Sequence, residues 1–223
     1  MTWLTRGGVI AAALVGGAVA WGLGWGALVP LFAFLTSGSL LARLTGDADG
    51  PRNARQVVAN GGVATVAALA HAWPAAAGAI AAAAADTWAT EIGARSTRPP
   101  RLITTGAPVP RGSSGAISVL GTLGGIGGAG TMAALSGIVS PTLRWQGVWM
   151  VAMAGVAGML VDSLLGATLQ ARFECPSCGR VMERPGFCHE PLRRVRGWRW
   201  LDNDAVNLLG SLAGALVAAA GVT

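Results

Sequence analysis

Residues 75–93 read AAAGAIAAAAADTWATEIG, an Ala-rich apolar run that ends on two acids, Asp86 and Glu91. The run is about as long as a membrane span needs to be, roughly 20 mainly apolar residues. A carboxylate inside such a run is costly in a bilayer and is functional by default. These 19 residues therefore pose the two questions that decide the fold and the chemistry. They are whether the rest of the chain is also membrane-embedded, and what would meet Asp86 there.

Composition answers the first. Of 223 residues, 52% are hydrophobic and 12% charged, and the mean hydropathy is +0.54. A soluble domain carries about 25% charged residues, so this chain lacks the charge to cover a globular surface. Disordered, collagen-like and disulfide-rich classes are excluded by the same figures. Seven apolar runs are long enough to span, at about 8–22, 24–42, 57–73, 75–92, 115–139, 145–169 and 204–222. Pro74 and the Trp21 to Trp25 stretch mark two of the turns. The first run also has the outline of a signal peptide, with Arg6, an apolar core and Ala18-Val19-Ala20. The second run follows almost at once, which favours a span. The expected fold is all-α: one polytopic helical bundle over 1–223, with about seven transmembrane helices and a loop at 170–203 before the last.

Charge sets the orientation. All 16 basic residues are Arg, and with a cytosolic N-terminus fifteen fall on one side, leaving Arg144 alone on the other. Positive loops resist translocation, so the Arg-rich side is expected to face the cytosol. The net charge of +6 thus reports topology, and no nucleic-acid partner is expected. Nine Trp, several near segment ends, suit an interfacial belt. Three Cys are too few for a disulfide framework.

On this map the polar residues of four runs reach one leaflet. Asp86 lies about 10 Å below the Arg-rich end of helix four. Asp162 stands near the same end of helix six, and Asp204 and Asn207 open helix seven. Arg52, Gln56 and Asn60 fall at i, i+4 and i+8 where helix three begins. Asp86 and Glu91 are five apart and diverge by roughly 140°, so one helix does not bring both to one ion. Competing readings are snorkelling for Glu91 near the interface, and helix capping for Asp202, Asn203 and Asp204.

The loop before helix five contains Arg111, Gly112, Ser113, Ser114 and Gly115. It is expected to deliver its N–H groups to a helix N-terminus, where phosphate is favoured. No Walker loop occurs, and there is no Lys at all. Acids for Mg²⁺, Arg for phosphates and a Gly/Ser loop are the parts phosphoryl transfer uses. Asp86, Glu91 and Asp162 are the candidate catalytic acids, with Asp86, Asp162 and Asp204 as Mg²⁺ ligands. Arg52, Arg55, Gln56, Asn60, Arg111, Asn207 and the Gly/Ser loop are the candidate phosphate binders. The glycines of helix five are read as packing residues. Cys175 and Cys178 form C-x₂-C, half of a common zinc site, and Cys188 and His189 could complete it. The adjacency of that second pair is awkward for a tetrahedral ion. The basic run from Arg193 to Trp200 could lie on anionic headgroups, clamp a phosphate, or anchor topology.

The stretches Arg52 to Gly62, Asp86 to Gly93, Pro108 to Ser118, Asp162 to Gln170 and Trp200 to Asn207 together resemble an integral membrane family. That family includes the phytyl-phosphate kinases of plants and cyanobacteria. The resemblance runs from helix three to helix seven. It implies a kinase that converts an isoprenoid monophosphate to the diphosphate with CTP or another nucleoside triphosphate. With the charge map above, the expected setting is a bacterial inner membrane with the site facing the cytosol. The rival readings are a cytidylyltransferase or phosphatase acting on lipid phosphates, a cation-coupled transporter, and a scaffold whose acids pair with Arg.

Overall fold

The structure is a computed structural model that describes residues 3–45, 50–182 and 186–221. Arg184, counted above on the Arg-rich side, lies outside the described residues, as does the expected end of helix seven at 222. Among the described residues there are seven α-helices: α1 Arg6–Leu23, α2 Leu28–Thr45, α3 Ala54–Leu69, α4 Trp73–Gly93, α5 Val119–Val139, α6 Trp145–Thr168 and α7 Asn203–Gly221. A single 3₁₀ turn, Trp25–Ala27, joins the first two. Five of these helices are long and apolar enough to cross a membrane: α1, α2 (extended by that turn), α5, α6 and α7.

The other two have physical reasons to be different. The third helix is 16 residues long. It begins earlier than the expected position 57, because Asn53 and Gln56 form a reciprocal capping box. It ends earlier than 73, because His71 takes a left-handed conformation (φ 55°) and its Nδ1 sits 2.6 Å from the Gly22 carbonyl oxygen. The fourth helix is the centre of the bundle, packed against α2, α3, α5, α6 and α7. Ala76 to Ala85 are all buried. A helix enclosed by protein needs no large lipid-facing side chains. It needs small ones that let five neighbours approach.

That close approach is visible at two glycines. A Cβ on Gly128 of α5 would lie 2.9 Å from the Ala84 carbonyl oxygen. One on Gly158 of α6 would lie 2.6 Å from the Gly210 oxygen of α7. The packing reading of the helix-five glycines holds for Gly121, Gly124, Gly125 and Gly128, which are buried, while Gly127 is exposed.

Helix five also starts later than expected. Ala116–Ile117 is a short strand, β2, paired antiparallel with β1, Arg101–Leu102, and Ser118 caps the helix by accepting from Gly121 N. The loop 170–203 forms an antiparallel sheet of three strands, β3 Arg172–Glu174, β4 Val181–Met182 and β5 Arg193–Arg196, in the order β4-β3-β5. This sheet, the Gly/Ser loop and the starts of α3 and α7 all gather at the Arg-rich end. Exposed Trp21, Trp25, Trp145 and Trp149 ring the opposite end with Arg144.

Candidate functional site

In the Arg-rich half of the bundle, polar side chains from α3, α4, α6 and α7 line a narrow pocket. Its walls include Asn60, Asp86, Asp162, Asn207 and Ser211, with Gly158 and Gly210 where the backbones of α6 and α7 close in. Four of those five polar residues were expected to converge, and they come from four different helices. The bundle rotates each helix so that its small-residue face meets a neighbour. The polar residue on the same face is carried inward with it. Asp162 and Gly158 are four apart on α6, and Asn207 stands one turn from Ser211 on α7.

Ser211 was not anticipated. It is buried, and its Oγ has no hydrogen-bond partner among the described residues. The signal was available: a hydroxyl four residues after Asn207, inside an apolar run. Asn60 turns its Nδ2 to donate to the Gln56 carbonyl oxygen at 2.9 Å. Two carboxylates share a pocket whose other polar groups are neutral amides and a hydroxyl. Carboxylates buried near one another are costly unless a proton, a cation or a hydrogen-bond donor offsets their charge. All five side chains offer oxygen, the donor that Mg²⁺ prefers.

Several expected site residues are engaged elsewhere. Glu91 does not enter the pocket: it accepts from Thr45 Oγ1 at 2.7 Å, at the end of α2. The five-residue offset from Asp86 has the consequence that helical geometry requires. Asp204 is not in the pocket wall either. Arg55 Nε meets its Oδ2 at 3.0 Å, and Arg55 Nη2 donates to Asp202 at 2.6 Å. Arg55 thus ties the start of α3 to the start of α7 and is committed to those two acids. Asp202 also accepts from Ala205 N at 3.2 Å, which is the capping role weighed for it. Arg111 donates to the Ser96 carbonyl and braces its own loop.

The Gly/Ser loop is not at a helix N-terminus, because β2 intervenes before α5. Ser113 N donates to Pro110 O and Ala116 N to Ser113 O, so part of its N–H supply closes its own turns. Gly115, at φ 76°, lies against the Ala167 backbone. Gly166 and Asp162 share one face of α6, so the loop rests about 6 Å further out than Asp162 on that helix.

Beside the pocket lies an apolar groove between α1, α2 and α3, lined by Val15, Leu31, Phe34, Leu35 and Val57 and headed by Arg52, Gln56 and Asn60. Asn60 belongs to both groove and pocket. The Arg52 guanidinium carbon stands 5.5 Å from the Phe34 ring centre. Burial pushes this guanidinium down from its ordinary value, and the charge of Glu91 opposes the shift. Gln56 is partly used, since its Oε1 accepts from Asn53 N at 2.9 Å in the capping box.

Outside the bundle, Cys175, Cys178, Cys188 and His189 come together, with their ligand atoms all within 4.8 Å of one another. The adjacency of Cys188 and His189 proves no obstacle, because a turn at Phe187 to Pro191 folds both side chains to one side. Backbone N–H groups, that of His189 foremost, pull the Cys175 thiol down to about 5. The basic run that follows is strand β5. Arg196 donates to the Gly166 carbonyl oxygen at 2.6 Å, and Trp198 and Trp200 stack at 5.6 Å on the surface.

Comparison with known proteins adds the following. The family described as "Integral membrane protein DUF92" matches residues 1–215. The chain is 31% identical over 137 residues to "Protein PGR" of Arabidopsis thaliana, covering 57% of this chain and 46% of that protein. It is 30% identical over 133 residues to an uncharacterized membrane protein of Synechocystis, covering 60% and 42%. With an uncharacterized membrane protein of Methanocaldococcus jannaschii it shares 29% over 138 residues, covering 62% and 46%. In each case the match spans less than half the relative's length. No solved structure matches the chain.

Proposed function

Because the chain belongs to the DUF92 family of integral membrane proteins, we propose that it transfers a phosphoryl group from a nucleoside triphosphate, CTP favoured, to a polyprenyl or phytyl monophosphate. The observation that carries this reading is the junction at Asn60. There the apolar groove between α1, α2 and α3 meets the cleft bearing two carboxylates. A prenyl tail in the groove would leave its phosphate beside Arg52, Gln56 and Asn60. Asp86 and Asp162 would hold Mg²⁺ on the other side of Asn60, with Asn207 and Ser211 completing an oxygen donor set.

In the reaction, an oxygen of the lipid phosphate attacks the γ-phosphorus. The bond from that phosphorus to the β–γ bridging oxygen breaks. The products are the lipid diphosphate and the nucleoside diphosphate. The attacking oxygen is already ionised, so the residues need only position the two phosphates and offset their charge. In this reading the 112–115 turn would close over the nucleotide. The Arg-rich end would face the cytosol of a bacterial inner membrane, where the nucleotide is found.

The test uses purified protein in detergent with Mg²⁺, CTP or ATP, and phytyl, geranylgeranyl and undecaprenyl monophosphates. Lipid products are read by mass spectrometry. Lipid diphosphate that is lost with EDTA and with Asp86→Asn is the expected result. A nucleotide-linked lipid with pyrophosphate indicates a cytidylyltransferase, and free alcohol with phosphate a phosphatase. No product from folded protein would overturn the reading and favour cation-coupled transport.

A further inference from the structure

The 170–203 segment has a construction problem that its residues answer. Its three strands have almost no hydrophobic core: Val181, Met182, Phe187 and Val195 are all exposed, while Phe173 and Cys175 are buried. A unit of this size cannot bury enough apolar surface to hold itself, and small domains of this kind are stapled by disulfides or metal. Here the three cysteines are free thiols.

We propose that Cys175, Cys178, Cys188 and His189 bind one structural zinc ion, and that the ion braces the sheet which presses the 112–115 turn onto α6. The geometry fits the ion. With Zn–S bonds of about 2.3 Å, two thiolates of a tetrahedral site lie about 3.8 Å apart. Cys178 Sγ and Cys188 Sγ are 3.8 Å apart, and Cys188 Sγ is 3.3 Å from His189 Nδ1. Three soft sulfurs and an imidazole select zinc over Mg²⁺. Four protein ligands close the coordination shell, which is the structural arrangement and leaves no position for substrate.

The backbone is shaped for it. After Cys175-Pro176-Ser177-Cys178 the chain turns at Gly179 (φ 68°), whose N–H donates to Cys175 O at 2.9 Å.

The brace follows from what the sheet holds. Arg172 of β3 donates to Ser114 O at 3.3 Å, and Arg196 of β5 to Gly166 O at 2.6 Å. Trp198 N donates to Leu169 O and Ala171 N to Leu201 O, both within 3.0 Å. The zinc cluster joins the β3–β4 connection to the β4–β5 connection, so it closes the sheet at the end remote from α6. This inference does not depend on phosphoryl transfer, and its test reads metal and structure without activity.

The experiment takes the full chain, purified in detergent without a polyhistidine tag under reducing conditions. Metal is measured by inductively coupled plasma mass spectrometry. One zinc per chain is expected, falling severalfold in Cys178→Ser and in Cys188→Ser. Cobalt added to metal-stripped protein should give the visible ligand-field bands of a tetrahedral thiolate site. In the unmutated protein, chelation should speed alkylation of Cys178 and proteolytic cleavage within 170–203 by at least about tenfold, on a scale set by the metal's folding energy. Protein free of zinc with three reduced, fast-reacting thiols would overturn the proposal. So would a Cys178–Cys188 disulfide, or chelation that leaves cleavage unchanged.

Discussion

At the residue scale, the consequential distinction is between acids in the pocket and acids held by partners. Asp86 and Asp162 line the buried pocket, whereas Asp202 and Asp204 are matched by one guanidinium. Arg55 is largely exposed, but the Asp204 side chain it holds is only 4% exposed. Removing a charged partner from a buried group costs about 1–3 kcal/mol. Arg55→Met is therefore expected to lower unfolding stability by about that amount, seen as a lower melting temperature in detergent. Turnover per folded molecule should stay near the parent value. A selective loss of turnover with unchanged melting would return Arg55 to the phosphate site. Asp86→Asn should behave oppositely, with melting preserved and turnover down by more than about a hundredfold, the scale of losing a group that acts on the reacting charge. The sequence already named both residues. It could not tell their roles apart, because an ion pair between the starts of α3 and α7 joins positions about 150 residues distant.

At the element scale, α4 shows how a helix can be central without being the most apolar. Its Ala run forms the helix of 21 residues that the sequence leads one to expect, with Asp86 near its end. Its enclosure was not visible, since enclosure depends on the glycine faces of α5, α6 and α7. Those faces make a prediction. Gly158→Val places a branched side chain where a Cβ alone would lie 2.6 Å from Gly210 O. It should destabilise the bundle by about 1–3 kcal/mol or more, as overpacking does. Gly130→Ala, where a Cβ meets nothing within 4 Å, should leave the melting temperature essentially unchanged. Equal effects at the two positions would mean that α6 and α7 do not pack as closely as described. The boundary differences at α3 and α5 have local causes that a hydropathy window does not register. A capping box extends one helix, and a two-residue strand delays the other.

At the scale of the whole molecule, seven helices alternate so that all described Arg residues except Arg144 lie at one end. Positive-inside logic then makes a topological prediction. A reporter inserted in the exposed 104–107 turn should be active only in its cytosolic form. One inserted at 140–143 should be active only in its translocated form. The reverse pattern would place the pocket mouth on the outer face, away from nucleotide, and would remove the kinase reading with it.

Helix number, all-α class, the Arg-rich end and the half of the bundle holding Asp86, Asp162, Asn60 and Asn207 were legible in the linear chain. The reason is energetic: transfer of each segment between water and bilayer is a local quantity, set by residues adjacent in sequence. Which faces meet was decided only by tertiary packing. Helix rotation depends on small residues from several helices fitting at once. That fit sent Glu91 to Thr45, gave Arg55 to Asp202 and Asp204, added Ser211 to the pocket, and opened the groove that Asn60 shares with it. The same holds for Cys188 and His189, whose convergence on Cys175 and Cys178 depends on a turn that spacing alone does not specify.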